Sequence, residues 1–251
     1  MKNKYDIIWL ESTDSTNEEA KRRIDICDNM SVLSALSQTS GKGQRGNTWS
    51  SEVGQNLLFS IIMKDVFRIK ACDQFVISEL SALAVTDLLS MHGIKASIKW
   101  PNDIYVGKRK ICGILVENSL RGEWINSTII GIGLNINQRN FDVNIPNPTS
   151  MALENANGTT YDIRQMLDEF MDIFSRYADR YLNITGGYLK LRKMYLSLLW
   201  RKDEPYQYIR TSDGSTFNGI IRGISDSGHL RIENEKGESE EFAFKEISYV
   251  I

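Results

Sequence analysis

Apolar positions recur along the chain with two different periods. Residues 71–91 carry them at helical spacing, closed by Gly93, and predict a long α-helix. Residues 161–182 and 188–200 have the one-sided pattern of two more helices. Short apolar or alternating runs predict strands over 5–10, 31–37, 56–64, 94–100, 110–118 and 124–135. Asp14-Ser15-Thr16-Asn17-Glu18 places Ser15 and Glu18 at capping-box spacing, opening a helix expected to run to about Cys27. Residues 39–52 are polar and glycine-rich, hence a loop. This interrupted order of helices and strands predicts an α+β fold, not a regular βαβ winding.

The pattern changes near Arg201. Short strands are expected over 206–211, 216–224, 230–234 and 240–244, separated by Asp213-Gly214, Ser227-Gly228 and Lys236-Gly237 turns. About fifty residues of hairpins suggest a small barrel, dividing the chain into units 1–200 and 201–251.

Composition narrows the function classes. With 41% hydrophobic residues among 251 the chain can bury a sizeable core. No run approaches the roughly 18 apolar residues of a membrane helix, and the first residues lack a signal-peptide pattern. Cys27, Cys72 and Cys112 are odd in number and without metal spacing, which fits a reducing, cytoplasmic setting. A net charge of −2 argues against nucleic acid as main partner. Cations nevertheless cluster locally, at Lys42 and Arg45 and again at Lys99, Lys108, Arg109 and Lys110. Clusters of that size suit a compact polyanion such as a nucleoside triphosphate, or else form a solvated lysine face.

Gly41-Lys42-Gly43-Gln44-Arg45-Gly46 is the densest of these signals. Its glycines let backbone N–H groups approach a ligand, and its cations can neutralise phosphate. No Gly-Lys-Ser/Thr ending follows, so this is not the common phosphate loop. Trp49 beyond it is either core or a flat ligand cover. In Lys99-Trp100-Pro101-Asn102-Asp103, proline ends a strand and leaves Asn102 and Asp103 at its tip, to form a turn, bind a polar ring or hold Mg2+. Lys110 opens the next strand as an edge charge or a phosphate clamp, and Gly113 within it implies close approach of another group. Gly131-Ile132-Gly133-Leu134-Asn135 lacks the third glycine and the helix of a dinucleotide site, leaving Asn135 as a strand-end ligand or turn residue. His92 and His229 lie outside every motif. The inventory of lysine, arginine, amide and one carboxylate fits positioning and charge stabilisation in phosphoryl or nucleotidyl transfer.

In order and spacing, Asp14–Asn17, Gln38 with the 41–49 loop, Lys99–Asp103 with Lys110–Leu115, and Gly131-x-Gly133-x-Asn135 resemble the biotin protein ligase family. The resemblance covers nearly the whole chain. It implies a mixed β-sheet catalytic domain packed with helices, and a C-terminal SH3-like barrel that includes Gly223–Gly228 and Glu246–Ser248. It also implies two half-reactions, in which biotin and ATP·Mg2+ give biotinyl-5′-AMP, and a lysine of a biotin carboxyl carrier protein then takes the biotinyl group. By the same resemblance, Ser15, Thr16, Asn17, Gln38, Gly41, Trp49, Asp103 and Gly113 contact biotin. Lys42, Gly43, Gln44, Arg45, Asn102, Lys110 and Asn135 contact ATP, with Lys110, Asp103 and Arg45 catalytic and Asn135 a Mg2+ ligand.

The larger repressor-type members begin with a helix-turn-helix, whereas this sequence enters the catalytic pattern at once, so no DNA partner is expected; no membrane partner is expected either, and the assembly expected is a monomer or homodimer. Gln44 stands where arginine is usual. Two other functions remain compatible: a lipoate ligase or octanoyl transferase, and a non-enzymatic nucleotide-sensing regulator.

Overall fold

The computed structural model describes residues 5–64, 68–155 and 158–250; the side chain of Arg45 lies outside that description. The first unit runs β1 (Ile7–Thr13), α1 (Thr16–Arg23), β2 (Val32–Gln38), β3 (Leu57–Lys64), α2 (Phe75–Met91), β4 (Ser97–Lys99), β5 (Asp103–Val106), β6 (Arg109–Arg121) and β7 (Trp124–Leu134). After these come α3 (Met151–Glu154), α4 (Ile163–Tyr177) and α5 (Gly187–Ser197). The strands form one sheet ordered β1-β2-β3-β7-β6-β5-β4, with β1 and β2 parallel and the remaining neighbours antiparallel. The mixed sheet and α+β class agree with expectation.

The period of two in β3 assigns the faces of this sheet. Leu57, Phe59, Ile61 and Met63 enter the main core with α2, α4 and α5, where Phe59 meets Phe170 edge-on at 5.0 Å. On the opposite face, Ile62 packs with Ala20 of α1 and Ile129 of β7, and Ser60 reaches the start of α1. The candidate site lies on this second, thinly covered face. Most of helix α2 is buried between the sheet and α4 and α5, and its end at Ser90 and Met91 is exposed. By length and composition the stretch Ala71–Met91 is apolar enough to cross a bilayer, although Asp73, Glu79 and Asp87 interrupt it, and 72% of its most apolar window is buried inside the fold, as in a core helix.

The second unit is an antiparallel sheet of β8 (Pro205–Arg210), β9 (Thr216–Ile224), β10 (Leu230–Asn234), β11 (Ser239–Phe242) and β12 (Ile247–Tyr249), ordered β11-β10-β9-β8-β12. Among the described residues β11 and β12 do not pair, so the expected barrel is an unclosed five-stranded sheet. This sheet docks on the Lys99–Asp103 hairpin. The Trp100 indole N–H donates to the Gly228 carbonyl at 2.9 Å, its ring packs on Phe244, and the Tyr249 hydroxyl donates to the Trp100 carbonyl. A buried ion pair adds a second tie. Glu79 of α2 pairs with Arg192 of α5, and Arg192 also donates to the Ser225 carbonyl at 2.6 Å.

Three local readings are corrected. Helix α1 stops at Arg23, short of Cys27. Its capping box does not form: Ser15 is the N-cap residue but makes no side-chain cap bond, and Glu18 turns to Lys21 and Lys42. The tip after Pro101 is followed by the further strand β5, so Asp103 begins a strand.

Candidate active site

Lys110, Asp103 and Gly113 are brought together by an irregularity in the β5–β6 ladder. Asp103 pairs with Gly113 and Ile104 with Cys112, but Tyr105 pairs with Lys110, leaving Ile111 without a partner in that ladder. In a regular strand, residues 110 and 113 point to opposite faces; one extra residue returns Lys110 to the face of Gly113. The Lys110 ammonium lies 2.7 Å from Asp103 Oδ1. Gly113 keeps the space between them open, because a Cβ there would stand 2.9 Å from the Trp49 ring and 3.4 Å from Lys110 Nζ. Asn102 fixes the hairpin: its side-chain amide donates to the Ile114 carbonyl at 2.8 Å, and its own carbonyl accepts from Ile114 N–H.

The start of α1 forms the opposite wall. The Thr16 N–H donates to Gln38 Oε1 at 2.7 Å, and the Ser60 hydroxyl donates to Asn17 Oδ1 at 2.6 Å while lying 2.8 Å from Thr16 Oγ1. Asn17 also donates to Glu117 at 2.8 Å and presses on β7 at Gly131, where a Cβ would come within 2.1 Å of its Oδ1. Outside, the Arg22 guanidinium holds the Asp14 carboxyl well below the usual carboxylate range, and Asp14 accepts the Ser15 N–H. Ser15, which makes no side-chain cap bond, lines the central cavity.

The glycine-rich loop folds back across this wall. Lys42 bridges to Thr48, Gly43 N–H donates to the Asn47 carbonyl at 2.7 Å, and Trp49 N–H donates to the Gly41 carbonyl at 2.9 Å. Gly41 is required there, since a Cβ would meet the Trp49 carbonyl at 2.4 Å. Trp49 lies over both Gly113 and Gly133, its indole N–H buried without a protein acceptor. Lys42 is 2.6 Å from Glu18, whose carboxyl is held below its ordinary value by Lys21 and Lys42.

Around one cavity of about 150 Å3 the structure gathers most of the residues singled out in the sequence. Ser15, Thr16, Asn17 and Gln38 line one side; Asn102, Asp103, Lys110 and Gly113 line another; Lys42, Gly43, Gln44 and Trp49 cover it. Gly41 lies behind Trp49. Asn135 lies in a second cleft of about 400 Å3, its amide donating to the Thr149 carbonyl and its buried Oδ1 without a protein partner. That cleft shares Asn47, Thr48, Trp49 and Lys110 with the first; besides Asn135, its other walls are Phe141, Ile145, Pro146 and Pro148 with the polar Ser50 and Asn144. Sequence reasoning missed this cleft. Residues 147–149 join β6 at Lys110 through backbone bonds from Lys110 N–H to the Asn147 carbonyl and from Thr149 N–H to the Lys110 carbonyl, a pairing with no side-chain signature. Lys245, which also lines the first cavity, was missed too, being distant in sequence and outside every motif. Arg45, expected to be catalytic, has its side chain outside the described residues.

A mixed sheet with one face opened by glycines, a lysine–carboxylate pair at the seam of a polar cavity and a partly apolar cleft, and a loop bearing Lys42 above share the concave, mixed polar and apolar geometry of small-ligand sites. The pattern of the Biotin/lipoate A/B protein ligase family matches residues 9–135, and the chain belongs to that family. The Bifunctional ligase/repressor BirA of Bacillus subtilis is 31% identical over 218 residues, covering 82% of this chain and 62% of its own. This chain thus spans less than two thirds of the first relatives it matches. The Biotin--[acetyl-CoA-carboxylase] ligase of Paracoccus denitrificans is 29% identical over 91% of this chain and 94% of its own. The biotin protein ligase of Aquifex aeolicus, solved in complex with biotin and ATP, superposes with a TM-score of 0.78 at 25% identity, covering 97% of both chains.

Proposed function

We propose that the chain condenses biotin with ATP·Mg2+ to biotinyl-5′-AMP and then passes the biotinyl group to a lysine of a carboxylase carrier domain. The observation that carries this reading is the position of Lys110, on the seam between the polar cavity and the partly apolar cleft. In this reading the acid's head group lies among Ser15, Thr16, Gln38 and Asp103, its chain runs over Gly113, and the adenosine enters the cleft beside Phe141 and Ile145. A carboxylate oxygen then attacks the α-phosphorus, the bond to the bridging oxygen breaks, and pyrophosphate leaves. In the second step the carrier amine attacks the acyl carbon, loses a proton, and AMP departs. Lys110 sits where negative charge develops in both steps, and a fixed cation there acts by preorganised electrostatics. Mg2+ arrives with the nucleotide as part of the substrate. The unpartnered Asn135 Oδ1 suits it as an oxygen donor, as hard cations prefer.

The cavity of about 150 Å3 is small beside the roughly 300–1,000 Å3 of ligand sites, because Trp49 occupies it. In this reading ligand entry lifts Trp49 off Gly133, and the loop closes over the product and excludes water from the anhydride. Units 1–200 and 201–251 act as the catalytic body and its flank, and a cytoplasmic setting fits the free Cys27, Cys72 and Cys112. ATP–pyrophosphate exchange tests the assignment. Exchange is expected with biotin and Mg2+; exchange supported by lipoate and not by biotin would overturn it.

A further inference from the structure

Lys99 closes β4, and its register partner across the β4–β5 pairing is Asp103. Residues directly opposite each other in an antiparallel pair point to the same side, so Lys99 shares the face that carries Asp103. The Lys99 ammonium lies 4.9 Å from the ring centroid of Tyr105 in β5 and 4.8 Å from that of Tyr249 in β12. The Tyr249 ring is fixed in turn, because its hydroxyl donates to the Trp100 carbonyl and its ring packs on Trp200. Among the described residues no carboxylate comes within ion-pair distance of Lys99. Ring faces attract an ammonium without cancelling its charge as a paired carboxylate would.

Burial pushes the Lys99 ammonium below its ordinary range; the Asp103 carboxylate acts against that push, and Lys110 and Arg201 add to it. The two rings therefore hold a cation where its surroundings disfavour one, facing Asp103. The same carboxylate holds Lys110 at 2.7 Å. In the proposed function Lys110 must turn from Asp103 to the α-phosphate, and a half-buried carboxylate left without its partner is costly. A second cation facing Asp103 lowers that cost. It repels Lys110 and attracts the carboxylate that Lys110 leaves.

We propose that Lys99 is a positioning residue that releases Lys110, taking over as counter-ion of Asp103 when an anion draws Lys110 away. The inference rests on the adenylating reading for the identity of that anion. Its consequence differs from simple attraction of a ligand by Lys99, because it works only through the Asp103 carboxylate.

The test is a double-mutant cycle on AMP binding, read by calorimetry at fixed salt. Lys99→Met and Lys99→Gln remove the charge but keep an unbranched stem between the two rings, so both should stay folded. Each is made alone and together with Asp103→Asn. With Asp103 present, either change should weaken AMP binding about tenfold, and Lys99→Arg should restore it to within about threefold. With Asp103→Asn, Lys110 has no carboxylate to leave, and the same changes should cost less than about threefold. Equal losses in the two backgrounds would mean direct attraction of the ligand, and no loss in either would make Lys99 a packing residue; both results overturn the proposal. ATP–pyrophosphate exchange on the wild-type protein separates this inference from the proposed function. The expected AMP cycle without biotin-dependent exchange supports Lys99 and overturns biotin as the acid. Biotin-dependent exchange without coupling between Lys99 and Asp103 keeps the function and overturns the role of Lys99.

Discussion

Single residues set the chemistry through their place in the sheet. Lys110 reaches the site because one unpaired residue, Ile111, turns its side chain to the face of Gly113 and Asp103. Replacing Lys110 by Gln keeps hydrogen bonding but removes the charge, and adenylation should fall by about a hundredfold, the order of one preorganised donor. Rapid-quench measurement of biotinyl-AMP checks this, and a rate within threefold of wild type in a folded variant would reduce Lys110 to an edge charge. Trp49 gives a second, spectroscopic check. Its indole packs on Gly113 and Gly133 with an unsatisfied N–H, so ligand entry should change its emission. The change on adding biotin should disappear in Trp49→Phe; the same change in that variant would mean that Trp49 does not move. Much at this scale was legible in advance, because Lys99-Trp100-Pro101-Asn102-Asp103 and Lys110 with Gly113 are local signals. What was not legible is what the glycines of β7 are for. Gly131 and Gly133 make room for Asn17 and Trp49, contacts that span over eighty residues and leave no mark in the strand's own pattern.

At the scale of elements, helices and strands followed the apolar period, and the departures have physical causes. Glu18 left the expected capping box because two lysines, Lys21 and Lys42, offer it charge where Ser15 offers a neutral N–H. Strand β5 was hidden because its four residues lie between a proline turn and Gly107. The loop over 39–51 is the element expected to respond to ligand. Trypsin should cut after Lys42 in the free protein and be slowed by biotin with ATP; equal cutting would argue against closure. Helix α2 carries a pH signature. Burial pushes the Glu79 carboxyl up to about 7 from 4.5, against the pull of Arg192. A carboxyl whose folded pKa lies above its unfolded value binds more protons when folded between those values. Its contribution to stability therefore falls as pH rises from about 4.5 through about 7. Melting curves should show that decline in wild type, and Glu79→Gln should flatten it. An unchanged slope in the variant would assign the dependence to other groups.

Across the whole molecule, the two sheets act together because the hairpin that delivers Asp103 is also the dock for the second unit. Trp100 donates to Gly228 on one side of that hairpin, and Asp103 meets Lys110 on the other. The second sheet was expected to be a small barrel, since hairpin spacing predicts strands but not which edges meet; among the described residues β11 and β12 do not pair. In the proposed function the cavity and its adjoining cleft serve both half-reactions, with biotin as the acid. A single-turnover experiment tests it most directly: the protein is incubated with biotin, ATP and Mg2+, separated from free ligands, and only then mixed with a carrier domain. Protein-bound biotinyl-5′-AMP is expected before mixing, and after it a biotinylated carrier lysine with stoichiometric release of AMP. No bound adenylate, or an adenylate that the carrier fails to discharge, would contradict it.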